Sequence, residues 1–158
     1  MKDGLVVPVN SSDVQFNEVV FKPCFKWVDG FTTIELDMSE FMDAHIQGYV
    51  ASPDQWDESY YSRKIKSFEN SHNCPIETAY VHCLDSSRRI ERWFKKDEFF
   101  IKPSITYTNG RHRNKLLQYL GASSLYVTVE NCEIDKFREH FMLLNEYPHS
   151  AKVGIAVK

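Results

Sequence analysis

The apolar positions change period several times along the chain, and each change marks an element. Gln15 to Phe21 alternates closely enough to predict a strand. Phe25–Val28 and Phe31–Leu36 flank Asp29-Gly30 and read as a β-hairpin, because Asp-Gly favours a tight two-residue turn. Asp37 to Glu40 has the form of a capping box. Phe41, Met42, His45, Ile46 and Tyr49 then recur at helical spacing, with Gly48 weakening the end and His45 read as a core histidine. Ser52-Pro-Asp-Gln55 predicts the next helix start, with proline at the first helical position. Trp56, Tyr60, Tyr61, Ile65 and Phe68 carry that helix to about Glu69; Tyr60 and Tyr61 suit packing or the lining of a base pocket. Beyond a loop at 71–75, Ile76 to Leu84 reads as a strand with Ala79, Val81 and Cys83 on one face. Asp85 to Lys96 fits two periods: Ile90, Trp93 and Phe94 suit a helical turn, and Ile90, Arg92 and Phe94 suit one face of a strand.

The most informative stretch is Ser104 to Gly121. Ile105 to Thr108 is β-branched or aromatic, which suits a strand. Asn109-Gly110 is a turn dipeptide, and Asn109 is also a candidate helix cap. Leu116, Leu117 and Leu120 form one apolar helical stripe, which Gly121 ends as a left-handed cap would. Leu125 to Val129 is a further strand, and Ile134, Phe137, Phe141 and Leu144 give a last helix one apolar face. Val153 to Val157 is a candidate edge strand, and residues 1–13 read as irregular. This is an α/β pattern in one domain of 158 residues, long enough for a full core.

Charge changes the picture at one place. Arg111, His112 and Arg113 fall in the first turn of the predicted helix. That end already carries about half a positive charge and unpaired N–H groups. Cations there are unfavourable unless an anion arrives. Arg113 also precedes Leu116, Leu117 and Leu120 on the apolar stripe, which directs its guanidinium toward the sheet. Strand, glycine turn, helix N-terminus and arginines together describe a phosphate site. The competing reading is that Asp or Glu from elsewhere neutralises the cluster.

Composition limits the alternatives. The hydrophobic share of 42% and the aromatic share of 14% suit a globular chain. A formal charge of −3 gives no global basic field, so nucleic acid would need a local patch. Arg88, Arg89, Arg92, Lys95 and Lys96, with Trp93 and Phe94 between them, are either such a DNA-binding patch or a solvated basic face. No run approaches 18 apolar residues and no secretory core precedes the domain, so a cytoplasmic protein without a membrane span is expected. Cys24, Cys74, Cys83 and Cys132 show neither a CxxC pair nor a zinc spacing; they read as reduced thiols, mostly buried, and no metal site is predicted.

Asn109-Gly-Arg-His-Arg113 resembles the Asp-Gly-x-His-Arg motif of ParB-like domains and the Gly-Cys-His-Arg motif of sulfiredoxin. The amphipathic helix, Gly121 and the strand that follow extend the resemblance over Ile76 to Val129. Lys102 to Arg113 is most similar to the plasmid fertility inhibition factors within that superfamily. The resemblance implies a single ParB/sulfiredoxin-like domain over 1–158, a mixed sheet flanked by helices. Its motif core would span about 76–129, with the hairpin and helices at 14–70 and a C-terminal helix at about 132–145. It implies phosphate or nucleotide binding by Thr108, Asn109, Gly110, Arg111, His112 and Arg113. The ligand would be ATP or another nucleotide, with Mg2+ as companion ion. It implies ATPase or DNase activity that blocks conjugative DNA transfer, with DNA and a conjugation or secretion-machinery protein as further partners.

Turnover would need an acid–base group beside the phosphate. His112 and Glu77 are the catalytic candidates, with Glu35, Asp37 and Glu40 as other carboxylates near element ends. Arg111 stands where sulfiredoxin has its cysteine, and no cysteine is expected in reach of the site. That removes its sulfur chemistry and leaves the fold. The ParB-type nucleotide switch lacks its Gly-Glu-Arg-Arg motif and a helix-turn-helix, and no Walker-type P-loop is present. The alternative function is a non-enzymatic protein-interaction module with a vestigial nucleotide site.

Overall fold

A computed structural model of the chain describes residues 4–46, 48–90 and 98–150. The strands are β1 (Leu5–Pro8), β2 (Glu18–Lys22), β3 (Phe31–Asp37), β4 (His45–Ile46), β5 (Ile76–Glu77), β6 (Ala79–Ile90), β7 (Glu98–Asn109), β8 (Ser124–Glu130) and β9 (Leu143–Pro148). The helices are α1 (Met38–Asp43), α2 (Glu58–Glu69), α3 (Arg111–Tyr119) and α4 (Ile134–His140). A six-stranded mixed sheet has the order β4-β7-β6-β8-β3-β9, and a three-stranded sheet has the order β1-β2-β5. Both sheets and all four helices contribute to one apolar core, so the α/β architecture is a single packed unit of mixed sheets flanked by helices.

β8 sits inside the large sheet and is buried from Ser124 to Val129, which is why it reads as a continuous apolar run. It pairs antiparallel with β3 over seven residues, Phe31 opposite Glu130 to Asp37 opposite Ser124, and in parallel with the first two residues of β6. Ala79, Val81 and Cys83 are buried together on one face of β6. Across from them, Ile105 of β7 and Leu116, Leu117 and Leu120 of α3 complete the centre of the core.

The hairpin around Asp29-Gly30 does not form. Phe25 takes a left-handed φ of 56°, which no strand accommodates, and residues 24–27 fold as a turn with Val28 N–H donating to the Phe25 carbonyl. β3 instead finds long-range partners in β8 and β9. The first helix stops at Asp43: Asp37 caps it by accepting from Glu40 N–H at 2.9 Å, but Ala44 is extended and leads into β4. His45 and Ile46 pair in parallel with Ser104 and Ile105, and this long-range pairing overrides the helical spacing. The second helix is capped by Asp57, whose carboxylate accepts from Ser59 and Tyr60 N–H; Ser52-Pro-Asp-Gln55 makes only a 3-10 turn.

The Asn131 side chain, just before the last helix, accepts from the Thr32 hydroxyl at 2.7 Å, and no side chain caps that helix. That helix ends at His140, not near 145, since Phe141 is extended and starts the run into β9; Leu144 lies in the strand. The large sheet ends in β4 on one side and β9 on the other, and the edge strand expected at 153–157 lies outside the described residues. Of the ambiguous segment, residues 85–90 are strand, and 91–97 lie outside the described residues. Among the described residues no helix is long and apolar enough to cross a membrane.

Candidate phosphate site

The site is built where β7 runs into α3, as the strand–turn–helix pattern predicts. Gly110 is the helix N-cap, left-handed at φ 83°. A Cβ there would lie 2.7 Å from the Ala79 Cβ and 2.8 Å from its Cα, so β6 leaves room for glycine alone. Asn109 does not cap the helix. Its amide oxygen accepts instead from Tyr80 N–H at 2.9 Å, stitching β7 to β6. No side chain caps α3, so its first-turn N–H groups point outward with the positive end of the helix.

That end opens on a cleft of about 570 Å³ lined by Tyr60, Lys64, Ser67, Ile76 and the Asn109–Arg113 turn. Lysine, histidine and two arginines line it, and among the described residues no carboxylate does. Their mutual repulsion is visible in their proton affinities. Burial, then Arg111 and Lys64, push the His112 imidazole below its ordinary value. Burial, then Arg113 and Arg63, do the same to Lys64.

The three cations of the motif differ in engagement. Arg111 is exposed and makes no hydrogen bond or ion pair among the described residues. Its guanidinium rests beside Gly48, where an added Cβ would approach Nη1 to 2.5 Å. His112 stands edge-on to Trp56 and Tyr60, ring centroids 5.5 and 5.7 Å away. Arg113 is half-buried. Its Nη1 donates to the backbone carbonyl of Glu77, and its Nη2 lies 3.4 Å from the Asn109 amide oxygen. Part of its fork is therefore spent holding β5 and β7 together, and burial lowers its proton affinity while Glu77 opposes that.

The remaining predicted residues divide. Glu77 is exposed and meets Arg113 through its backbone oxygen; it does not line the cleft. Thr108 faces away: its hydroxyl is 3.2 Å from His82 Nε2, so it is not part of the cleft wall. Glu35 bonds Ser124 and Asn145, Asp37 caps α1, and Glu40 accepts from Met142 N–H, so none of these carboxylates reaches the site. Cys24 does not line the cleft but lies buried behind the motif. Its thiol hydrogen-bonds Asn109, but burial and then Glu77 raise its pKa, so no thiolate stands beside the motif. Cys74 and Cys132 are exposed, so two thiols, not most, are buried. Arg88 and Arg89 lie in β6 opposite Phe100 and Phe99 of β7, apart from the cleft residues in the sheet; Arg92 lies outside the described residues.

One network had no sequence signal, because its members come from three distant segments. His82 Nδ1 is 2.8 Å from Glu133, and the other Glu133 oxygen accepts from Cys83 N–H at 3.1 Å. With Thr108 on Nε2, this ties β6 and β7 to the start of α4.

The fold is similar to that of a plasmid fertility inhibition factor. The solved structure is that of the Oncogenic Suppression Activity Protein, as its gold(I) cyanide derivative. The likeness has a TM-score of 0.63 at 12% identity and covers 94% of this chain and 74% of that one. At that identity it establishes a common fold. Comparisons with family models and with curated protein sequences give no match.

Proposed function

We propose that the chain is a phosphate-binding protein of the ParB/sulfiredoxin type, holding a nucleotide at the Asn109–Arg113 turn and acting in plasmid fertility inhibition. One observation carries the reading: an uncapped helix N-terminus opens on a cleft with four cationic or imidazole side chains and, among the described residues, no carboxylate. An anion there gains charge-assisted hydrogen bonds and removes the repulsion among Arg111, Lys64 and Arg113. Arg111 is the principal ligand, because its guanidinium is uncommitted. Arg113 assists with the face left over from Glu77 and Asn109. The fertility role, with interruption of conjugative DNA transfer and a conjugation or secretion-machinery partner, rests on likeness to the neighbour's fold and on the motif.

Hydrolysis of ATP or DNA at this site would draw on His112, which is held neutral and so accepts a proton. Among the described residues no three His, Cys, Asp or Glu side chains converge to hold a metal ion. The cleft's cationic wall does not suit a protein-bound Mg2+. The cationic lining, without a carboxylate among the described residues, favours a second reading, in which the site binds the nucleotide without turning it over and the protein works through a partner.

Titration calorimetry with ATP and with inorganic tripolyphosphate tests the proposal. Both should bind the native chain, and Arg111→Ala should remove the binding at unchanged melting temperature. Phosphate release measured on the same samples separates turnover from simple binding. If neither polyanion binds, the phosphate reading is wrong.

A further inference from the structure

Arg111 belongs to two cavities. On one side is the phosphate cleft; on the other is a pocket of about 380 Å³ lined by Met42, Ile46, Gly48, Tyr49, Val50, Tyr107, Arg111 and Lys115. That volume lies near the lower end of the roughly 300–1,000 Å³ usual for small-ligand sites. Its wall is apolar and aromatic, with two cations at the α3 edge. Its polar groups converge there. Tyr107 is half-buried, its oxygen accepts from the Asn114 side chain at 2.9 Å, and loss of solvent around the phenol keeps it protonated, so its own O–H is left to donate. Tyr49 stands 86% exposed at the pocket, an apolar surface with nothing laid on it.

We infer that this pocket is the base subsite of the same ligand. A nucleotide crosses the α3 N-terminus, with its phosphates in the cationic cleft and its heterocycle between Met42, Tyr49 and Tyr107. The inference rests on the phosphate reading given above. Arg111 is the hinge of the arrangement: it lines both cavities, and its uncommitted guanidinium, resting beside Gly48, is shared between the phosphates and the heterocycle. Gly48 is left-handed at φ 85°, and its missing Cβ is what lets the guanidinium lie there.

The competing position for a base is the ring of Tyr60 in the cleft itself. That ring is already engaged. Trp56 and His112 lie edge-on at 5.3 and 5.7 Å, and Arg63 and Lys64 approach it at 5.2 and 5.3 Å. Tyr49 has no such neighbours among the described ring and cation contacts. A phosphate chain alone, or a nucleic-acid backbone, would have no use for an apolar pocket on the far side of Arg111, whereas a mononucleotide would fill it.

Calorimetry with tripolyphosphate, the four common ribonucleoside triphosphates and the full chain decides the matter. At least one nucleotide should bind tenfold or more tightly than tripolyphosphate. Met42→Trp, which fills the pocket, should collapse that ratio toward one. Tyr49→Ala, a fully surface change that spares the fold, should reduce it severalfold. If tripolyphosphate binds as tightly as every nucleotide, or if both variants keep the native ratio, the base subsite is refuted and the phosphate site stands. If no polyphosphate binds at all, both readings fall together.

Discussion

Arg111 and Arg113 are two positions apart on one helix, yet their surroundings give them different work. Arg113 donates to the Glu77 carbonyl and leans on Asn109. Arg111 is committed to nothing among the described residues. Arg113→Ala should therefore destabilise the apo protein by about 1.5–3 kcal/mol, the usual effect of losing a hydrogen bond from a charged donor. Arg111→Ala should leave unfolding unchanged within about 0.5 kcal/mol, as exposed surface changes do. Urea denaturation of the two variants checks this, and equal losses would show that Arg113 carries no structural tie. The inward aim of Arg113 was legible from its place ahead of Leu116, Leu117 and Leu120. Its carbonyl partner was not, because Glu77 lies 36 residues earlier and meets it only in the folded sheet. The same holds for Thr108, which sits beside the motif in sequence but on His82 in space.

At the scale of elements, β6 and β7 make the longest ladder in the sheet, from Tyr80 opposite Asn109 to Ile90 opposite Glu98. Among the described residues β6 pairs with β8 only at Ala79 and Tyr80, and β4 pairs with β7 only at Ser104 and Ile105. The outer part is thus a two-stranded ribbon among the described residues, a shape that fits a major groove of DNA. If the basic cluster contacts DNA, duplex affinity should fall steeply with salt. Arg88→Ala and Arg89→Ala should each reduce the log–log salt slope by about one unit. Binding that ignores salt, or slopes unmoved by either change, would leave the ribbon with another role. The two periods competing over 85–96 reflect this architecture: pairing with one distant partner sets the strand, and residues 85–90 carry no local turn signal to announce it.

Across the whole molecule, one hydrogen-bonded relay joins the sheets. Cys24 N–H donates to Thr78 Oγ1 at 2.9 Å, and Thr78, Thr128 and Thr33 hydroxyls follow at 2.7 and 3.1 Å. The Thr33 hydroxyl reaches His149 Nε2 at 2.8 Å, and His149 Nδ1 lies 3.0 Å from the Phe25 carbonyl. Every donor finds an acceptor if His149 is neutral with its proton on Nδ1, so that Nε2 accepts from Thr33. A second proton on Nε2 would turn the Thr33 link around and leave a buried hydroxyl proton at Thr78 without an acceptor. Burial accordingly holds the His149 pKa below its ordinary value, and the Phe25 carbonyl offsets this only in part. Between that depressed pKa and the unfolded value of about 6.5, the unfolded chain binds more protons. Stability should be full above about pH 6.5 and decline as the pH falls through this window. His149→Gln should flatten the decline, with His112 adding a smaller slope of the same sign. Denaturation midpoints at a series of pH values read this directly, and a midpoint indifferent to pH would discard the relay. The sequence by itself determined the strand, glycine turn and cationic helix start at 104–121, the buried face of β6, and the apolar run of β8. Turn chemistry and hydrophobic period are written within a few adjacent residues, and burial enforces them. Only the tertiary structure decided that β3 pairs with β8 and β9, that Cys24 lies beside Asn109, and that Arg113 is engaged while Arg111 is not. Pairing partners and the neutralisation of charge depend on which distant segments the core brings together, and no local pattern specifies that.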